Sequence, residues 1–307
     1  MMLEEIISKA IDQHVTDIHI EDSSSSIRVF QRHNGALYKT LEFPHDTSLL
    51  NRIKIRANLD LSETRRTQEG QFLLEETNRK TFIRVSIIAT VKGEKVALRL
   101  LPDRNRIALQ DTGMSKALLN TLHSKLDELS GLIFVCGATG AGKTTTLYSC
   151  LDNLNQGDKS IFTIEDPVEY KTDGTFQCEP NIDIGLDAPH LLKSFMRQDP
   201  DVIMVGEIRD ATTANLAVNA ALTGHLVLAT LHTNSPIDAI HRCHGWNVDF
   251  FSLASSLQLI IHQSMSYQTG QPQPIFNALQ PKWTTPLPSS YQTLIENPEL
   301  WNVFPHE

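Results

Sequence analysis

The chain has little cysteine. Its four residues (Cys136, Cys150, Cys178 and Cys243) are scattered through 307 positions, and no two form a C-x-x-C pair. That excludes a zinc ribbon or a disulfide framework and fits reduced thiols in a cytosolic protein. Long apolar runs are also missing: none approaches the roughly 20 residues that cross a bilayer. Basic charge is short, with 27 Lys and Arg against 36 Asp and Glu, a net charge of −9. The deficit lies wholly in residues 104–307, which hold 12 basic and 21 acidic side chains, whereas residues 1–103 hold 15 of each. A protein that tracks a nucleic-acid backbone carries a basic stripe, and none is visible, so direct nucleic-acid binding is not expected. The opening residues, MMLEEIISKAIDQH, are acidic and amphipathic and unlike a signal peptide. There is no internal repeat.

What is present describes a globular protein with a core. Hydrophobic residues make up 40% of the chain and charged residues 21%. The length suits one large or two ordinary domains. Residues 1–103 read as a mixed α/β module: an amphipathic helix (Leu3, Ile6, Ile7, Ala10, Ile11), then DIHIE (17–21) alternating as a half-buried strand. A second alternating run, IRVF (27–30), leads to a tight reversal at Asn34-Gly35. A helix around 47–59 and strands near 71–75, 81–88 and 95–101 complete the module, and residues 104–112 read as a linker.

From there the pattern changes. Apolar strands at 132–136, 160–164, 202–205 and 226–231 alternate with helical stretches at 114–127, 143–155, 190–198 and 211–222. Strands apolar throughout, separated by helices, predict a parallel sheet covered on both faces over residues 113–270. Phe250, Phe251, Leu253, Leu257 and Leu259–Ile261 follow an apolar helix pattern. Seven of the 14 prolines follow residue 271, so residues 271–307 read as a tail, mostly loop or extended.

Residues 137–144, GATGAGKT, match G-x-x-x-x-G-K-[ST] between an apolar strand and a helix. Gly137, Gly140 and Gly142 let the backbone curl so that the amides of Ala138, Thr139, Ala141, Lys143, Thr144 and Thr145 can face phosphate oxygens. The helix dipole adds to the attraction. Lys143 belongs on the β- and γ-phosphates, and the Thr144 hydroxyl on magnesium. ATP and Mg2+ are the cofactors this loop implies. Downstream, PDVIMVGEIRD (200–210) is a second core strand that ends in Gly206-Glu207. Glu207 is placed to polarise the attacking water, or to reach magnesium through water. Gly206 cannot bind metal, which magnesium tolerates because it keeps several waters. The alternative for Glu207, a cap on the next helix, is better met by Asp210.

With these residues in place, the chain resembles the ATPases that drive type II secretion and type IV pilus or competence-pseudopilus assembly. The match spans roughly residues 15–245. It comprises DIHIE (17–21), GATGAGKTTTLY (137–148), an acidic box IEDPVEY (164–170), the Walker B region RQDPDVIMVGEIRD (197–210) and a histidine box TGHLVLATLHTN (223–234). In this family the Walker B strand carries Gly-Glu in place of Asp-Glu. The resemblance implies an N-terminal PAS-like α/β module before a RecA-like P-loop NTPase motor, in a homohexameric ring. It implies a peripheral place on the cytoplasmic face of the membrane, through a polytopic platform protein of the pilus machinery. It puts Glu165, with Glu169, near magnesium and the attacking water, or else leaves them as solvated charges at a strand end. It makes His232 and His225 sensors of the γ-phosphate, or structural histidines. It makes Arg84 and Arg99 the arginines that close on the nucleotide, or members of ordinary strand salt bridges.

Some features depart from the family. The four-cysteine zinc insert of many relatives is missing, which favours the small competence-type members. Thr67 stands where a proline is expected in SETRRTQEGQF (62–72), and MSYQTGQ (265–271) replaces a Gln-Arg-Leu near the final helix. His241, Cys243 and His244 have no second ligand cluster nearby and do not read as a metal site. RVSIIATVKGEKVALRLL (84–101) looks like the assembly branch and less like retraction motors. Two further possibilities are a type II secretion ATPase and a nucleotide-binding scaffold that no longer hydrolyses.

Overall fold

The computed structural model describes residues 3–33, 36–76, 79–102, 107–169, 171–266, 272–283 and 286–305. The expected turn at Asn34-Gly35, Tyr170 of the acidic box and residues 267–271 of MSYQTGQ lie outside the described residues. The chain divides into two compact units, Met1–Asn105 and Arg106–Glu307.

The first unit runs α1 (Leu3–Asp12), β1 (Asp17–Asp22), β2 (Ser26–His33), β3 (Ala36–Pro44), α2 (Thr47–Arg56), β4 (Gln68–Glu76), β5 (Arg79–Thr90) and β6 (Gly93–Pro102). The strands form one antiparallel sheet in the order β3-β2-β1-β6-β5-β4. Strand alternation does the sorting. Ile18, Ile20, Ile27, Val29, Ile83, Val85, Ile87, Val96 and Leu98 share a core with Leu3, Ile6 and Ile7 of α1 and Leu49, Leu50 and Ile53 of α2. The intervening residues, Asp17, Glu21, Arg28, Arg84, Lys95 and Arg99, make ion pairs on the other face. Strand β3 escapes sequence reading because it buries no side chain fully, leaving no alternating pattern to detect.

The second unit begins with a 3-10 turn (Leu109–Asp111), so part of the expected linker packs into it: Leu109 is buried in its core. Its elements are α3 (Lys116–Leu126), β7 (Gly131–Cys136), α4 (Lys143–Leu154), β8 (Ile161–Ile164), β9 (Thr175–Cys178), α5 (Ala188–Phe195), β10 (Val202–Val205), α6 (Ala211–Leu222) and β11 (Leu226–Leu231). Then come α7 (Pro236–Gly245), α8 (Phe250–Ser256), β12 (Leu257–Ser266), β13 (Gln273–Pro281), α9 (Tyr291–Glu296) and β14 (Trp301–Phe304). The sheet order is β14-β13-β12-β7-β11-β10-β8-β9. Pairing is parallel from β12 to β9 and antiparallel at β13 and β14. Alternate residues of β7 enter opposite cores. Ile133 and Val135 pack with Leu118 of α3 and Leu147 of α4; Leu132 and Phe134 pack with Ala217 of α6 and Leu192 of α5. This is the expected parallel sheet with both faces covered, hence its uniformly apolar strands.

Two expectations change here. Leu257 and Leu259–Ile261 lie in strand β12, and only Phe250–Ser256 is helical. A short apolar run buried on both sides has no period that separates helix from strand. Residues 273–304 also form more than a loop-like tail. They add β13 and β14 to the sheet and α9 against α7, burying Phe276, Ala278, Tyr291, Leu294 and Trp301. Pro274 is tolerated because it pairs only with β12, while β14 covers residues 278–281.

Trp301 is 3% exposed, its indole N–H donates to the Leu294 carbonyl at 2.9 Å, and its ring meets Trp283 edge-on at 4.9 Å. Trp301→Ala should therefore lower unfolding stability by about 3 kcal/mol, read from urea denaturation followed by circular dichroism. A loss under about 1 kcal/mol would show that the terminal strands are dispensable to the unit.

Candidate functional site

Parallel pairing puts the C-terminal ends of β7, β11, β10 and β8 along one edge of the sheet. In register, Cys136 faces Leu231, and Val205 faces both Ala229 and Ile164. The segments that leave these strand ends build the site. After β7 comes the glycine loop. Gly137 has φ +147, and a Cβ there would stand 2.1 Å from the Gln263 carbonyl oxygen, so no other residue fits. Gly142 has φ +86 and caps α4 without a side chain, leaving the amides of the first turn for a ligand. Ala138, Thr139 and Gly140 form an exposed tip, Ala141 is buried, and Thr144 and Thr145 are half-buried on the first turn of α4.

Lys143 is 8% exposed, and its Nζ donates to the carbonyls of Gly137 at 2.7 Å and Ala138 at 2.9 Å. Burial weakens its hold on the proton, an effect opposed by the charge of Glu207. Nζ also lies 3.4 Å from His232 Nδ1, and His232 Nε2 lies 3.1 Å from Glu207 Oε1. Arg209 donates from Nε to the other carboxylate oxygen of Glu207 at 2.9 Å and from a terminal nitrogen to Asp166 at 3.1 Å. A continuous polar chain thus runs from Asp166 through Arg209, Glu207 and His232 to Lys143, joining the acidic box, the Walker B strand, the histidine box and the loop. Asp210 caps α6 by accepting from the Thr213 amide at 2.8 Å, as the sequence indicated.

The other candidates have partners of their own. Glu165 is 4% exposed and accepts from the hydroxyls of Tyr148 and Thr163 and from the Gln177 amide. Burial pushes its carboxyl up, against those three hydrogen bonds. His225 stands at the start of β11, the strand end opposite His232, with Nδ1 2.8 Å from the Ala220 carbonyl where α6 finishes. Within this unit it is not brought to the loop. In the first unit, Arg84 on β5 lies directly opposite Arg99 on β6. Arg84 pairs with Glu69 at 3.5 Å and Arg99 with Asp17 at 2.8 Å, and both side chains are exposed. Of the residues weighed for metal, Cys243 is buried with its thiol pushed up to about 12, and His244 stacks on Tyr291 at 4.7 Å. Among the described residues no three His, Cys, Asp or Glu side chains gather as a metal cluster.

The loop fits a nucleoside triphosphate. It offers free helix-start amides at Gly142, an ammonium at Lys143 and a hydroxyl at Thr144, and a carboxylate stands at the neighbouring strand end. Sequence reading missed Gln263 and Thr146. Thr146 donates to Gln263 Oε1 at 2.7 Å, and both are buried beneath the loop. The available signal was a glutamine continuing the buried row Leu259, Ile261.

The glycine before Glu207 also has a cause. A Cβ on Gly206 would lie 2.9 Å from the Ile164 carbonyl and 3.5 Å from the Glu165 Cα. An aspartate there would press on the next strand and set its charge beside Glu165. Gly206→Ala should cost about 1–2 kcal/mol and Gly206→Asp more, measured as a fall in the urea midpoint. If Gly206→Ala leaves the midpoint unchanged, this close approach is not the constraint.

Comparison with known proteins gives the family and the fold. The family model described as "Type II/IV secretion system protein" matches residues 1–271. Type II secretion system protein E of Aeromonas hydrophila is 40% identical over 268 residues, 86% of this chain and 53% of that protein. The type IV pilus assembly ATPase PilB of Myxococcus xanthus is 42% identical over 266 residues, 85% of this chain and 47% of that protein. The chain thus spans about half the length of these curated relatives. Among solved structures, the pilus retraction motor PilT with bound ADP superposes with a TM-score of 0.76 at 28% identity, covering 98% of this chain and 87% of that one. The ATPase DotB of Legionella pneumophila shares the fold, with a TM-score of 0.73 at 20% identity over 91% of this chain and 80% of that one. On the match to its family model and its identity to these relatives, the chain belongs to the type II/IV secretion system protein family.

Proposed function

We propose that this chain is a magnesium-dependent ATP hydrolase. In this reading it is the motor for assembly of a type IV pilus-like or competence pseudopilus fibre, working as a homohexamer on the cytoplasmic face of the membrane through a polytopic platform protein. The observation that carries the catalytic part is the Lys143–His232–Glu207 chain at the glycine loop. The names of the relatives, a secretion protein E and a pilus assembly ATPase, support the assembly role.

Each residue has a task in this reading. Lys143 leaves the carbonyls of Gly137 and Ala138 for phosphate oxygens, whose charge restores its hold on the proton. The amides of the first α4 turn orient the phosphates. Thr144, and Glu207 through water, would hold magnesium. When bound, the ion neutralises phosphate charge. Glu207 accepts the proton of the attacking water. His232, beside Glu207, senses the γ-phosphate. Arg209 keeps the carboxylate at the strand end. Arg84 and Arg99 are read as the cations that stabilise charge developing on the transferred group. Glu165 is read as supporting the site from beneath through Tyr148.

A steady-state phosphate-release assay on the purified protein tests this. Glu207→Gln should lower turnover by about 10²–10⁴-fold while ADP affinity stays within about threefold. Lys143→Ala should abolish nucleotide binding, read by fluorescent ADP displacement. Equal phosphate release from wild type and Glu207→Gln would end the motor reading and leave a non-hydrolysing scaffold.

A further inference from the structure

We propose that Gln263 is a positioning residue for the phosphate loop, so that strand β12 sets the loop's curvature from below. This rests on the nucleotide reading above. Gln263 is 3% exposed and stands one residue beyond the last parallel pair, His262 with Cys136. Its carbonyl oxygen fills the space where a Gly137 side chain would begin, at 2.1 Å. Its side-chain Nε2 lies 2.7 Å from the Cβ position of Gly142, where the Met265 methyl also reaches to 2.9 Å. Its Oε1 accepts from the Thr146 hydroxyl, on the first turn of α4, at 2.7 Å. One residue therefore touches the first glycine of the loop, its last glycine and the helix beyond.

A buried amide is costly unless it is hydrogen-bonded, and an apolar residue would continue the row of Leu259 and Ile261 more cheaply. The gain is location. With the Thr146 bond made, α4 is held at a set height above β12, and the glycines have one path between them. Because Gln263 also pairs with Phe276 of β13, the terminal strands are linked through β12 to the floor of the phosphate site.

The test uses the full chain with Gln263→Met, which keeps volume and loses the hydrogen bond, Thr146→Val, the double variant, and Thr146→Ser as the conservative rescue. ADP affinity and steady-state turnover are measured with the melting temperature. Each single variant should weaken ADP binding about tenfold, the double should be no worse than either single, and Thr146→Ser should restore wild-type affinity. Wild-type affinity and turnover in folded single variants with only a lower melting temperature would make the pair merely structural and overturn the proposal. So would single effects that multiply to about a hundredfold in the double, since the two residues would then act independently. If Gln263→Met does not fold, Thr146→Val against Thr146→Ser decides on its own. A wild-type protein that binds no ADP overturns the nucleotide reading itself, and is distinguishable because it shows before any variant is made.

Discussion

Parallel register is the constraint on which the second unit depends. Because β7, β11, β10 and β8 run the same way, residues that come after them in sequence at widely separated positions meet along one edge. Lys143 comes after β7, Glu207 after β10 and His232 after β11, and the three touch in a line. Parallel strands need a covering connection between each pair, so both sheet faces are dry and each strand is apolar throughout. The dry interior explains the lowered proton affinity of Lys143 and the raised pKa of Glu165.

The two glutamates at this edge differ in how readily they can move. Glu207 is half-buried, and its Arg209 partner is 60% exposed, so that pair is worth roughly 1 kcal/mol or less. A water or an ion can replace it at little cost. Glu165 is buried beneath three donors, and turning it out would break its hydrogen bonds from Tyr148, Thr163 and Gln177. Greater exposure and weaker pairing thus support the proposal that Glu207, and not Glu165, takes the proton. Gly206 lies between them, its carbon too close to the Ile164 carbonyl to bear a side chain. The same close packing that excludes aspartate seats the strand end against β8.

Much of this was legible in the residues. The loop GATGAGKT, the strand before it and the helix after it form a local pattern that no distant contact has to complete. The apolar strands and the Asp210 cap were equally local. Other features could not be read. β3 lacks a buried face, β12 lacks a distinguishing period, and the prolines after residue 271 concealed two strands whose partners lie far back in the chain. His225 and His232 looked alike as members of one box, yet they stand at opposite ends of β11.

The sequence by itself determined the chemistry on offer: a glycine-rich loop between strand and helix, a lysine, a carboxylate after an apolar strand, and two arginines on the last two strands of the first unit. These depend on residue type and short spacing. Only the tertiary structure decided which carboxylate touches the lysine's neighbour, why Gly206 bears no side chain, and that Gln263 underlies the loop. Those answers depend on strand order and on ångström-scale approaches between segments distant in sequence, and neighbouring residue types do not encode such approaches.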